Sequence, residues 1–206
     1  MRIFRPGVIM RRLYPDSLFR IRREEKVLCL TFDDGPDPAS TPLLLQILSR
    51  RDIRAIFFCT GSAAERYPDL TELIRSGGHV IGNHGYRHLD GWKTSVEEYF
   101  ENVSRAAPFT SGRLFRPPYG RLTPGQYRRL KESYEIVFWD IMPFDFDSRF
   151  GSRNSLKVLM RMIRPGAIIV LHDKPGSSVL LFLEEFIDRA AEAGYSFVLP
   201  SFFISD

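Results

Sequence analysis

The residues best suited to chemistry in this sequence are two adjacent carboxylates, Asp33 and Asp34. They end the apolar run Val27-Leu28-Cys29-Leu30-Thr31-Phe32 and stand directly before Gly35-Pro36. The run reads as a buried strand that Gly35-Pro36 stops. Side chains alternate along a strand, so the two aspartates diverge if it continues; at a frayed end the backbone can turn both into one pocket, as base and metal ligand. The alternative is a solvated Asp-Asp-Gly-Pro turn. Four histidines bear on that choice: His79, His84, His88 and His172. In His84-Gly85-Tyr86-Arg87-His88 the three-residue gap predicts a helical turn with both imidazoles on one side, Cβ atoms roughly 5–6 Å apart and within reach of one metal. With a carboxylate from Asp34 they make a two-histidine, one-carboxylate set with open positions, which favours a Lewis-acid divalent ion. Zinc is the first expectation, and cobalt, nickel and manganese suit the same donors. A pair of surface histidines on a loop is the alternative. His79, in or beside a strand, reads as a hydrogen-bonded structural histidine.

Two further apolar runs end in polar residues. Leu114-Phe115-Arg116-Pro117-Pro118-Tyr119-Gly120 offers an arginine that cannot lose its charge, then a rigid Pro-Pro turn that leaves the Tyr119 backbone N–H free to donate. Ala167-Ile168-Ile169-Val170-Leu171-His172-Asp173 reads as a six-residue strand ending in the fourth histidine, whose ordinary pKa suits a general acid. A salt-bridged arginine beside a proline loop and a strand-capping histidine are the structural alternatives.

Together these segments resemble the polysaccharide deacetylases, the NodB-like family also called carbohydrate esterase family four. The likeness runs from Val27 to about Pro200, and Thr31-Phe32-Asp33-Asp34-Gly35-Pro36 matches the first family motif residue for residue. The resemblance implies that Asp33 is the catalytic base and that Asp34, His84 and His88 hold the metal. It further implies that Arg116 orients the base, the Tyr119 N–H beside Pro118 stabilises an oxyanion, Leu171 lines the acetyl-methyl pocket and His172 protonates the leaving group. The chain departs from the family at Gly85, where Ser or Thr usually ties down the loop, so a looser loop is expected. It departs again in Trp139-Asp140-Ile141-Met142-Pro143-Phe144-Asp145-Phe146-Asp147. There Asp145 is placed on the supporting aspartate and Phe146 on the usual tryptophan, with Asp140 as the alternative. The supporting aspartate is expected either to brace Arg116 or to raise the pKa of His172.

Apolar runs at 27–32, 55–60, 79–83, 114–116, 135–140, 167–172 and 195–199 predict seven strands. Helical patterns near 42–51, 63–76, 95–107, 124–133, 155–163 and 179–193 alternate with them. Such alternation implies α/β architecture with parallel strands wrapped by helices. Seven strands agree with the distorted, incomplete (β/α) barrel that the resemblance implies, and every candidate residue falls at a C-terminal strand end, where barrels assemble their sites. With 206 residues and 44% hydrophobic content the sequence supports one globular domain over 27–206, preceded by a basic arm over 1–26. The arm carries eight basic residues against three acidic ones, so the net charge of +4 belongs to it and the remainder is close to neutral. Its apolar residues are expected to pack on the barrel; weak contact with a membrane surface is the other use of its arginines. The arm lacks the apolar core of a secretory signal, and no stretch approaches the roughly 20 apolar residues of a membrane span, which makes a cytoplasmic, monomeric protein the expectation. Cys29 and Cys59 lie inside apolar runs and read as reduced core thiols.

The functional expectation is metal-assisted hydrolysis of an acetyl group, chiefly the N-acetyl of an amino sugar in a peptidoglycan- or chitin-like glycan, with no nucleic-acid partner. An O-acetyl esterase and a catalytically silent carbohydrate-binding barrel are the alternatives.

Overall fold

The computed structural model describes residues 2–22, 24–110 and 112–200. The apolar runs become parallel strands β1 (Val27–Asp33), β2 (Ile56–Cys59), β3 (Val80–Asn83), β4 (Leu114–Phe115), β5 (Glu135–Ile136), β6 (Ala167–His172) and β7 (Ser196–Phe197). They lie in the order β5-β4-β3-β2-β1-β6, and β7 pairs with the first residues of β1 below the point where β2 begins. Parallel neighbours need crossovers. These are supplied by α2 (Thr41–Ser49), α3 (Gly61–Arg66), α4 (Pro68–Ser76), α5 (Val96–Ala106), α6 (Pro124–Leu130), α7 (Ser152–Met162) and α8 (Leu183–Glu192), while α1 (Val8–Leu13) precedes the sheet. The single helix expected over 63–76 is two, because Tyr67 before Pro68 is driven out of the helical region (φ −126°, ψ 63°) and Pro68 starts a new helix. Helix α1 was not anticipated from the sequence, since six residues are too short a stretch to show a period.

Strand alternation sorts the core into two faces. Cys29, Ile56, Phe58, Leu114 and Ile168, one or two from each contributing strand, cluster inside the curled sheet with Ile21 and Val137. Leu28, Leu30, Phe32, Phe57, Ile169 and Leu171 face outward and pack under Leu44, Leu48, Ile74 and Phe186 of the helices. Cys29 and Cys59 therefore belong to opposite faces, and both are free and buried, as the sequence suggested. Burial pushes the Cys29 thiol up to about 12.

The sheet is an incomplete barrel, open between β5 and β6. Two short pieces bridge that seam. Beyond β5 the chain turns alongside β6, where Asp140 N donates to Ile168 O and Val170 N to Ile141 O. Below it the arm inserts: Leu18 N donates to Ile136 O, Phe138 N to Leu18 O, and Ile21 N to Gly166 O. Phe19 stacks on Phe138 at 4.8 Å, with Tyr14 on Phe138 at 5.1 Å. Asp140, wholly buried, is the arm's electrostatic anchor, paired with Arg5, Arg11 and Arg164. Three of the arm's seven arginines, Arg2, Arg5 and Arg11, thus pair with carboxylates of the domain, while Ile3, Val8, Ile9 and Leu13 remain exposed. No helix among the described residues is long and apolar enough to cross a membrane.

Candidate active site

The sequence problem posed by Asp33 and Asp34 is solved by backbone conformation. Asp33 is the last residue of β1, paired with His172 at the end of β6. Asp34 follows with φ +80°, a left-handed conformation unusual outside glycine, so its carboxyl swings to the same pocket instead of alternating away. The turn is held by Asp173. Its carboxylate accepts from Ser40 Oγ at 2.5 Å and Thr41 Oγ1 at 2.6 Å, and its N–H donates to Asp33 O. A Cβ at Gly35 would lie 2.3 Å from Asp173 Oδ2, so only glycine permits this approach.

His84 and His88 meet at the same place by another route than the one expected. No helical turn joins them; residues 84–88 form a loop in which Gly85 takes φ +76°. Their ring centroids lie 5.0 Å apart. His84 Nδ1 donates to Arg116 O at 2.8 Å, which turns Nε2 toward Asp34 Oδ1, 3.5 Å away. His88 Nε2 lies 3.3 Å from the same oxygen. Burial and the neighbouring His84 push His88 down to about 4, keeping it in the neutral form that ligation requires.

Arg116 is wholly buried at the end of β4. It donates to Asp33 Oδ1 at 2.7 Å, Thr31 Oγ1 at 2.6 Å, Val137 O at 3.1 Å and Phe138 O at 2.8 Å, with its guanidinium 4.1 Å from the Phe58 ring centre. Beyond it, buried Pro118 leads into Tyr119, a non-glycine residue at φ +58° whose ring meets His88 edge-on at 4.4 Å. Across the pocket, His172 Nδ1 donates to Asp145 Oδ1 at 2.9 Å, and its own N–H donates to Asp145 Oδ2 at 2.8 Å. Ser177 Oγ also donates to Asp145 Oδ2, and Phe146 packs edge-on to the imidazole at 4.7 Å. Burial pulls the His172 pKa down, but the carboxylates of Asp145, Asp34 and Asp33 outweigh it and leave the pKa raised.

One expectation needs correction and two alternatives are narrowed. Of the two roles left open for Asp145, the contacts favour the histidine: it touches His172 and not Arg116, whose carboxylate partner is Asp33. Asp140 lies outside the pocket, occupied by the arm and Arg164. Leu171 cannot line an acetyl-methyl pocket, because alternation along β6 sends it outward among the helices when His172 points inward. Val170, two residues before His172, shares the inner face and packs with Phe138 and Trp139.

Asp34, His84 and His88 offer one donor each, all within 4.8 Å of one another. Asp34 Oδ1 is buried without a hydrogen-bond partner among the described residues, while Oδ2 takes Lys174 Nζ at 2.7 Å. An orphaned buried carboxylate oxygen facing two imidazole nitrogens fits a divalent cation. A cleft of about 700 Å³ opens beside Asp34, lined also by Arg66, Tyr86 and Lys174.

This arrangement has close counterparts among known proteins. A sequence profile described as polysaccharide deacetylase matches residues 20–137. The chain belongs to the polysaccharide deacetylases. It is 32% identical over 188 residues to a peptidoglycan-N-acetylglucosamine deacetylase of Bacillus cereus, covering 85% of this chain and 68% of the relative. It is also 32% identical over 162 residues to a chitooligosaccharide deacetylase of Azorhizobium caulinodans, covering 75% and 77%. A crystal structure of a peptidoglycan N-acetylglucosamine deacetylase superposes with TM-score 0.85 at 29% identity, covering 93% of this chain and 94% of the other.

In this polysaccharide deacetylase the loop carrying His84 and His88 is not loose, despite Gly85. Asn83 Oδ1 accepts from Gly85 N at 2.7 Å, Gly61 N donates to Gly85 O, and the Asn102 amide clamps Arg87 from both sides, accepting from its N–H and donating to its carbonyl at 2.8 Å each. A Cβ at Gly85 would meet Asn102 Nδ2 at 2.7 Å, so the clamp occupies space that a larger residue would fill. Asn102 went unnoticed in the sequence because it lies on α5, remote from any motif. Asn102→Ala should weaken divalent-metal affinity on the order of tenfold, measured by competition with a chelating dye; unchanged affinity would mean that the loop holds its shape without the clamp. His79 makes no part of this site and accepts from Ala55 N through Nδ1, as the sequence suggested.

Proposed function

We propose that this protein removes N-acetyl groups from the amino sugars of a peptidoglycan- or chitin-like glycan and releases acetate, with Asp33 as base and His172 as acid. The observation that carries the reading is the pairing of Asp33 with His172 across adjacent strand ends, one carboxylate anchored by Arg116 and one imidazole backed by Asp145, on either side of the Asp34, His84 and His88 trio. A divalent ion held by that trio, zinc by donor type, supplies Lewis acidity toward the acetyl carbonyl and the attacking water. Arg116 occupies Oδ1 of Asp33 and so orients the carboxylate that takes the water's proton. The Tyr119 N–H donates to the oxyanion that attack creates; one such donor is typically worth about 3–4 kcal/mol in kcat. His172 then delivers a proton to the departing nitrogen. An amine is a poor leaving group, and a histidine whose pKa is raised by three carboxylates suits that task better than ester cleavage needs.

The test is acetate release from acetylated chitooligosaccharides and from muropeptides, with and without a chelator. We expect release that the chelator abolishes and added divalent metal restores. No release from either glycan under metal supplementation rejects the reading, and release that survives chelation removes the metal from it.

A further inference from the structure

Most large apolar side chains here are buried, yet Trp92 is 65% exposed and Tyr119 58%. Both are held in place. Trp92 Nε1 donates to Leu122 O at 3.2 Å, and its backbone N–H donates to Asp90 Oδ1 at 3.1 Å. The Arg121 guanidinium lies between the two rings, 4.8 Å from the Trp92 centre and 5.6 Å from that of Tyr119, and pairs with Asp90. The turn beneath is equally fixed. Gln126 Nε2 donates to Gly91 O and Thr94 O, and a Cβ at Gly91 would lie 2.2 Å from Arg121 O. Tyr119 in turn abuts His88, so an ordered strip runs outward from the trio in the sequence His88, Tyr119, Arg121, Trp92.

We propose that Trp92 and Arg121 form a saccharide platform that binds a sugar next to the one being deacetylated, an inference that rests on the reading of the site as a glycan deacetylase. The chemistry of a pyranose ring fits the strip. Its axial C–H face is apolar and packs on an indole, while equatorial hydroxyl and acetamido oxygens accept from a guanidinium. Because the rings are already immobilised, binding loses little side-chain entropy. Continuity with His88 ties the platform to the catalytic pocket, which favours a glycan over a protein surface.

The experiment compares chitopentaose with N,N′-diacetylchitobiose. Trp92→Ala should raise KM for the pentamer about tenfold, with the loss in KM and not in kcat, and should shift the dimer's KM much less. Trp92→Phe should recover most of the difference. Binding is followed separately in the Asp33→Asn background through tryptophan fluorescence. The chain has two tryptophans, and the Trp139 ring lies under Gly120 beside the pocket, so a saturable change on adding chitopentaose or a tetrasaccharide muropeptide reports Trp92 where Trp92→Phe abolishes it. Equal KM shifts for dimer and pentamer, or no fluorescence response to either glycan, would overturn the platform while leaving deacetylation intact. A response in a protein that releases no acetate from any glycan would uphold the platform and reject the chemistry. Self-association abolished by Trp92→Ala, without a glycan response, would reassign the strip as a protein contact.

Discussion

Asp33→Asn lowers turnover of an acetylated amino sugar by about 10²–10⁴-fold while the protein keeps its metal, the range that general-base catalysis typically supplies. The geometry makes this a clean substitution. Asparagine retains an oxygen to accept from Arg116 Nη1, which now holds Asp33 Oδ1 at 2.7 Å, so the side chain keeps its orientation and loses its basicity. It also removes the only carboxylate that the buried guanidinium pairs with among the described residues, leaving Thr31 Oγ1 and the carbonyls of Val137 and Phe138 to satisfy it. A buried charge stripped of its partner is destabilising by roughly 3–5 kcal/mol when no acceptor remains, and the retained amide oxygen offsets part of that. Melting temperature and metal content are therefore measured beside kcat. Turnover near that of the parent, in a folded and metal-loaded variant, excludes Asp33 as the base.

Asp145→Asn is expected to produce a comparable fall in turnover together with a shift in pH dependence. Asp145 receives both the Nδ1–H and the backbone N–H of His172. Its charge heads the contributions that raise the His172 pKa against burial. A general acid works only while protonated, so kcat/KM declines as pH rises through that pKa. Removing the carboxylate lowers the pKa, and the alkaline limb moves to lower pH. An asparagine that donates its amide to Nδ1 also selects the wrong tautomer, an effect worth up to about 10⁴-fold in a comparable carboxylate–histidine pair. Aryl acetates, whose leaving groups need little protonation, should lose far less. An unmoved alkaline limb, or equal losses on amide and aryl ester, would show that Asp145 only shapes the loop.

Much of this site was legible because its residues stand where continuous apolar runs stop. Asp33, Arg116 and His172 each end a strand, and alternation sets their direction. The same rule identifies Val170 as the inward neighbour of His172, although the family likeness pointed to Leu171. What could not be read depended on partners distant in sequence. The convergence of His84 and His88 needs a left-handed Gly85 braced by Asn102 on a helix, not the local helical turn that their spacing suggests. Asp140 resembled a site residue until three arginines, two from the arm, claimed its carboxylate. Asp173 is next to His172 in sequence, but its purpose is visible only once Gly35, Ser40 and Thr41 close around it.

The seam between β5 and β6 bears on how the chain comes to be active at all. The arm reaches past the seam to the loop behind His172: Met142 N donates to Phe4 O, the Phe4 ring packs on Phe144 at 5.4 Å, and Phe144 packs on Phe146, which touches His172. Arg11 and its anchor Asp140 are 129 residues apart. During synthesis these early residues emerge long before the partners that will bury them, and contacts of such long range are slow to form. The trio itself lies in the first half of the chain, but Arg116 orients His84 and Asp173 holds the Asp34 turn, so the trio too is completed only when the later strands dock, and the loop behind His172 is braced last, by the arm. A burden attached near the arm should thus be felt as lost catalysis before it is felt as lost fold.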